Sequence, residues 1–388
     1  MKRFCRPRLR QPLALIPARR AAFLCMLLLL AAPTAITAAL AQTSYRIVAA
    51  AESRIAPGNV AFVDTLGKRI VEIDRAGKVV WSWPITAALI AGGDLRSGAD
   101  LEWIAADDSF LLVIPFRGIF RVNRAGKVIW QHLTAKVSHD ADLLANGNVL
   151  YVHGWDAPGD AQVYEIDPAH KLVWSWQIKG RVEEAWRVPV PGEPRPSYGH
   201  TNGAVRLPDG DTLISVRNFN RVFRVAPSGE VKRLWGPIPR VHEPTLLADG
   251  TLIASPHAPR PGSVIAIAGP GNRRVIFANA LGIDPIRTVE LLHNGNYLLT
   301  GGEEIVEINA AGDVVWHAQI YAKAAHGRGE AAAGLGRRGG LERGAAAGGS
   351  GYGGGRESGA GRGAGRATSG ERGVYKAVWV GRTDRNRK

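Results

Sequence analysis

Four side chains of types that do chemistry stand eight positions ahead of a hairpin glycine: His139 before Gly147, Asn202 before Gly210, His242 before Gly250 and Arg287 before Gly295. Six or seven positions after three of those glycines come His153, Arg217 and His257, and His200 lies two residues before Asn202. A neutral imidazole is a competent nucleophile and proton carrier near neutral pH, because its ordinary pKa is about 6.5. A guanidinium stays charged and grips two oxygens of an anion at once. Three imidazoles converging on one point would instead match the ligand set of a catalytic zinc. Taken singly, a histidine at a strand edge is commonly a surface residue, and Arg287 has Asp284 and Glu290 nearby to pair with. What singles the set out is its recurrence at equivalent positions.

Equivalence requires a repeat, and the chain has one. An apolar strand, a tight turn and a second apolar strand return as EIDRAGKVVW from Glu72, RVNRAGKVIW from Arg121, EIDPAHKLVW from Glu165 and RVAPSGEVKRLW from Arg224. Weaker copies are AIAGPGNRRVIF from Ala266 and EINAAGDVVW from Glu307. The mean interval of 47 residues is too long for a single hairpin and fits a four-stranded propeller blade. Six such blades fill residues 42–323, so the expected fold is all-β: a six-bladed β-propeller of four-stranded antiparallel blades. Asn146-Gly147, Asp209-Gly210, Asp249-Gly250 and Asn294-Gly295 suit the positive backbone angles of two-residue hairpins, with Asp107-Asp108 a degraded version. In the first copy Asn59–Asp64 and Arg69–Asp74 read as strands, but the innermost strand is uncertain. Because the first two strands of a blade run antiparallel, the start of one and the end of the other share a face. Both rows of candidate residues therefore gather at one mouth of the central channel.

The ends of the chain differ from its body. Residues 1–41 read as a signal peptide: a basic start, an apolar run from Ala21 and the small-x-small close Ala39-Leu40-Ala41. An uncleaved membrane anchor is the alternative, and Arg19-Arg20 leaves the export route open. The expected product is periplasmic or secreted, with no stable membrane association once the leader is cleaved. The formal charge of +15 divides into +7 in the leader, +8 in 324–388 and zero in between. A neutral body with no basic stripe is a poor nucleic-acid binder. Both cysteines, Cys5 and Cys25, fall in the leader, which removes thiol and disulfide chemistry from the body. Residues 324–373, mostly Gly, Ala and Arg, are expected to be disordered. In the basic tail 374–388, Val374–Val380 is strand-like; it either completes an incomplete blade or stands unused.

Two further features face the same mouth. The connection 179–199, stiffened by Pro189, Pro191, Pro194 and Pro196, is long enough to act as a flap that excludes water, or is a neutral insertion. Most of the eleven tryptophans fit outer-strand packing between blades, whereas Trp155 and Trp186 lie on mouth-facing connections where an aromatic substrate would stack.

HDADLLANGNVLYV from His139, HTNGAVRLPDGDTLISVRN from His200, HEPTLLADGTLI from His242 and the closing LLHNGNYLLTGGEEIVEINAAGDVVW resemble the bacterial arylsulfotransferase family. The likeness covers roughly residues 100–320, and its most specific part is His-Thr-Asn with the following Ser-Val-Arg-Asn. It implies an exported six-bladed propeller that moves a sulfuryl group from a phenolic sulfate ester to a phenol, through a sulfated histidine, with no cofactor, metal or nucleotide donor. By motif, His242 would be the nucleophile, His139 and His200 would contact the aromatic oxygen or the sulfuryl group, and Asn202 and Arg217 would hold sulfuryl oxygens. Arg287, His153 and His257 join as substrate-binding candidates from their repeat positions. The chain departs from the family in lacking a separate N-terminal domain and a cysteine pair, and in its shorter histidine spacings. Sulfuryl transfer should resemble phosphoryl transfer, with charge on three equatorial oxygens and catalysis by positioning and charge stabilisation. A second imidazole would then protonate the departing phenolate and deprotonate the acceptor. Three other readings stay open: a histidine-ligated metal site, a non-catalytic ligand-binding propeller and a scaffold that works through its outer surface.

Overall fold

The repeats are the blades of a six-bladed β-propeller. The computed structural model describes residues 43–190, 195, 197–322 and 374–381; the leader, the segment 324–373 and the last seven residues lie outside the described residues. Blade 2 runs outward from Asp100–Ile104 through Ser109–Ile114 and Gly118–Val122 to Val128–Leu133. Blade 3 comprises Ala141–Leu143, Val149–Val152, Val163–Ile166 and Leu172–Trp176, and blade 4 Thr201–Arg206, Thr212–Val216, Arg221–Val225 and Val231–Trp235. Blade 5 follows with Thr245–Leu246, Leu252–Ala254, Val264–Gly269 and Asn272–Phe277. Blade 6 has Thr288–Leu291, Tyr297–Gly301, Glu304–Ile308 and Val314–Ala322.

Blade 1 is built from both ends of the described chain. Asn59–Asp64, Arg69–Ile73 and Val79–Pro84 receive their innermost strand from Ala377–Val380, which pairs antiparallel with Asn59–Phe62. The strand-like VYKAVWV therefore completes the blade whose inner strand was uncertain. At the other edge Thr43–Ala50 adds a fifth, outermost strand to blade 6 by pairing with Val314–Ala322. The ring is thus tied twice between segments far apart in sequence.

Middle strands are apolar at consecutive positions because both faces are covered; Ser109–Ile114 is buried throughout. Outermost strands alternate, as in Val128–Leu133, because one face meets water. One apolar cluster fills each of the six junctions between neighbouring blades. The repeated tryptophans belong to these junctions. Trp81 donates its indole N–H to the carbonyl of Arg124, Trp174 to that of Pro227, and Trp316 of blade 6 to that of Arg75 in blade 1. Each links an outer strand to the outer turn of the next blade, and such a bond is worth about 1 kcal/mol net beyond the area the ring buries.

The inner hairpins differ from the two-residue turns expected. Gly147 donates its N–H to the Leu144 carbonyl while Leu144 donates to that of Asn148, and of the two turn residues only the glycine has positive φ (84°). The Asn146 side chain accepts from the Asn148 N–H and so holds the turn in place of a second left-handed residue. Gly210, Gly250 and Gly295 repeat this geometry, and in the degraded blade-2 turn Asp108 takes the left-handed angle itself (φ 55°).

Candidate functional site

In blades 3 to 6 a candidate residue stands one to three positions ahead of the first strand. His139 precedes Ala141–Leu143, His200 precedes Thr201–Arg206, His242 precedes Thr245–Leu246 and Arg287 precedes Thr288–Leu291. Arg217 and His257 arrive from the ends of the second strands of blades 4 and 5. The structure brings these six together. The rings of His139 and His200 are stacked at 5.2 Å and those of His242 and His257 at 4.1 Å. Between the two pairs stands Tyr375, its ring 5.2 Å from His139 and 5.9 Å from His242, with the Arg287 guanidinium 5.1 Å from its centroid.

Hydrogen bonds fix the tautomers. Arg217 Nη2 lies 2.9 Å from His200 Nδ1 and can only donate, so that nitrogen accepts and the ring proton sits on Nε2. His200 Nε2 then donates to His139 Nε2 at 3.2 Å, which leaves the His139 proton on Nδ1. That atom is buried with no hydrogen-bond partner among the described residues, beside Gly98 and Tyr375. A Cβ on Gly98 would come 2.3 Å from it, so only glycine fits there. His242 donates from Nδ1 to the Arg240 carbonyl at 3.1 Å, and its lone pair is therefore on Nε2. His257 donates from Nε2 to the Ile286 carbonyl at 2.7 Å.

The electrostatics follow from burial among like charges. Burial first, then His257, Arg287 and Arg217, hold His242 well below the ordinary imidazole range. His139 is held well below that range by burial, His200 and the same two arginines. Burial takes His200 down to about 3 despite the opposing Asp156, and His257 to about 3 with Arg287 adding to the effect. All four are neutral at pH 7. Arg217 falls to about 9, mainly by burial with Arg240 and Arg287 adding repulsion, and remains charged. Neutral imidazoles lined by guanidinium groups suit an anion better than a metal cation. Among the described residues, the group of three potential metal ligands within 4.8 Å of one another is Asp100, Asp140 and Glu243, with no histidine among them.

His153 is not part of the cluster. Its ring neighbours Tyr164 at 6.5 Å, and it lies in the electrostatic reach of Asp156, Asp160 and Lys136. It stands six residues past its hairpin glycine, whereas Arg217 and His257 stand seven past theirs; a one-residue offset along a strand turns a side chain to the other face. The seventh position here is Gly154, where a Cβ would press on His139 at 3.0 Å. Asn202 is fully buried and donates its amide to the Val241 carbonyl at 2.9 Å, which tethers the segment carrying His242.

Three residues escaped the repeat comparison. Tyr375 precedes its inner strand by two residues, as His139 does, but that strand joins blade 1 from the far end of the chain and has no hairpin glycine to count from. Asp156 accepts from the Gly199 N–H at 2.9 Å, the His200 N–H at 3.1 Å and Gln162 Nε2 at 2.6 Å. It thereby holds His200 at a left-handed φ of 51°, a strained angle for a non-glycine residue. Ser197 Oγ meets His200 Nδ1 at 3.0 Å and accepts from Asn218 at 3.2 Å.

Trp155 is at the mouth, 4.6 Å from His139 and 5.2 Å from His200, while Trp186 packs under Arg221 in the cluster between blades 3 and 4. The connection 179–199 is held against the mouth where it is described: Val188 donates to the Asn218 carbonyl, and Arg195 covers Phe116 at 3.8 Å. Pro191, Pro194 and Pro196 lie outside the described residues. Clefts of about 540 and 450 Å³ lie elsewhere, near Arg75 and Trp235.

No protein-family model matches the chain, and no curated protein sequence does. Solved structures similar to it include a protein of unknown function from Bacteroides caccae, 15% identical with a TM-score of 0.46 over 68% of this chain and 93% of that one. Others are virginiamycin B lyase from Staphylococcus aureus (13%, TM-score 0.40, 57% and 70%) and a gluconolactonase from Xanthomonas campestris (15%, TM-score 0.42, 60% and 82%). Likenesses this distant say nothing of substrate or reaction, and the propeller rests on the chain's own six sheets.

Proposed function

We propose that this is an arylsulfotransferase-like enzyme, exported to the periplasm or beyond, that moves a sulfuryl group from a phenolic sulfate ester to a phenol through His242. The observation that carries the reading is the state of His242: neutral, its Nδ1–H spent on the Arg240 carbonyl, its Nε2 lone pair at a mouth ringed by Arg217 and Arg287. In the first half-reaction Nε2 attacks sulfur, the N–S bond forms, and the bond to the aryl oxygen breaks with its electron pair leaving on that oxygen. In the second, the acceptor oxygen takes the sulfuryl group and the pair returns to Nε2. The proton lost by the acceptor equals the one gained by the departing phenol over the cycle.

Arg217 and Arg287 supply fixed charge for the sulfuryl oxygens and the developing phenolate. The Tyr375 hydroxyl is buried without a hydrogen-bond partner among the described residues, and its proton is held by a pKa raised well above 10, chiefly by burial, so it acts as a donor. Trp155 offers a face for the aryl ring. The His139–His200 pair, neutral at pH 7, is not the strong general acid expected from the sequence; the His200 proton is shared with His139, and the His139 proton on Nδ1 has no acceptor among the described residues. A site without a strong general acid favours acidic leaving groups, so p-nitrophenyl sulfate should outrun phenyl sulfate as donor.

Mature protein incubated with p-nitrophenyl sulfate is expected to release at most one p-nitrophenolate per site without acceptor, and to turn over only when phenol is supplied. His242→Ala is expected to abolish release while the thermal unfolding profile persists. Turnover at the wild-type rate in that variant contradicts the assignment. Binding of aryl sulfate without any release favours the ligand-binding alternative.

A further inference from the structure

We propose that the axis of the ring is a divalent-cation site whose cation, in this chain, is the ammonium group of Lys376. Three carboxylates from three blades converge there: Asp100 of blade 2, Asp140 ahead of blade 3 and Glu243 ahead of blade 5. One oxygen from each lies within 4.8 Å of the others, so a single point lies within about 2.8 Å of all three, close to the usual calcium–oxygen distance of about 2.3–2.6 Å. Lys376 Nζ occupies this position, 3.4 Å from Asp100, 3.4 Å from Asp140 and 3.2 Å from Glu243. Those separations exceed the roughly 2.7–2.9 Å of a close charge-assisted hydrogen bond. The remaining oxygens are tied outward: Asp140 Oδ2 accepts from the Ala204 N–H and Asp100 Oδ2 from the Ala141 N–H.

One positive charge therefore faces three carboxylates, those of Asp100 and Asp140 buried and that of Glu243 partly so, and underfills their oxygens. Asp100 is fully buried, and its inward Oδ1 has no hydrogen bond, only the long ion pair; Glu243 Oε1 is also buried without a hydrogen-bond partner. A hard cation with six to eight oxygen ligands satisfies such a nest better than an ammonium. Lys376 reaches it only because Ala377–Val380 docks in blade 1. The Lys376 ammonium and a divalent cation are therefore mutually exclusive tenants, and the lysine ties blades 1, 2, 3 and 5 together as a structural ion would. This inference is independent of the sulfuryl-transfer reading.

The test compares wild type, Lys376→Met and the double variant Lys376→Met/Asp100→Asn as full chains, titrated with Ca²⁺ and Mn²⁺ by calorimetry and by Mn²⁺ electron paramagnetic resonance. Lys376→Met is expected to bind one ion per chain and to gain about 5 °C in Tm at a hundredfold excess over Kd. Wild type and the double variant are expected to show neither effect. If Lys376→Met does not fold alone, refolding in Ca²⁺ or Mn²⁺ is expected to rescue it. Failure of both ions to bind or rescue overturns the proposal, as does binding of equal stoichiometry and affinity in wild type or in the double variant.

Discussion

At the residue scale, the chemistry turns on imidazoles kept neutral by burial among guanidinium groups. Because His242 is held well below 6.5, its lone pair survives into acid, and the acidic limb of kcat/KM for sulfuryl transfer is expected below pH 6 rather than near 6.5. A pH–rate profile checks this. Stability carries the opposite sign. His257 titrates near 3 when folded and near 6.5 when unfolded, so below 6.5 the unfolded chain takes up a proton that the folded chain refuses. At pH 5 that costs about 2 kcal/mol relative to pH 7. His257→Gln is expected to lose about that much less between the two pH values, as read by urea denaturation. The candidate residues themselves were visible in the sequence because repeat positions could be superposed. His153 was misplaced because counting to a strand end is uncertain by one residue, and one residue reverses the face. The tautomers were beyond reach, since they depend on carbonyls such as those of Arg240 and Ile286 that only folding brings close.

At the scale of elements, the connection entering blade 4 does more than link strands. Asp156, on the connection within blade 3, collects three N–H donors and fixes the strained backbone of His200, which in turn orients His139. Asp156→Ala leaves buried donors unpaired and is expected to destabilise by about 3 kcal/mol. Misplacing a site by about 1 Å costs roughly 10²-fold, so kcat should fall by that order with KM little changed. A purely structural role would lower the yield of folded protein but not the kcat of what folds. Aspartate in a Gly-Trp-Asp loop gave no local signal of this, because the backbone it serves is more than forty residues away. The hairpin glycines, by contrast, announced themselves: a left-handed residue after a turn is a local requirement and a local sequence feature.

For the whole molecule, six sheets, six apolar junctions and two ties between distant segments make the ring. Period and composition carried the architecture, because every blade solves the same packing problem with the same residue types. Tyr375 and Lys376 were the exception, since they belong to the one blade assembled from both ends of the chain and cannot be found by comparing adjacent repeats. Removal of 374–388 withdraws Val374, Ala377, Val378 and Val380 from two junctions and is expected to lower Tm by about 10 °C or more, by calorimetry. It should also end turnover, because Tyr375 leaves the site. The most direct measurement of the central claim is mass spectrometry of protein quenched after exposure to p-nitrophenyl sulfate without acceptor. One sulfuryl group on the peptide containing His242 is the expected result. Turnover with no such adduct, or with the group on His139, His200 or His257 instead, would contradict it.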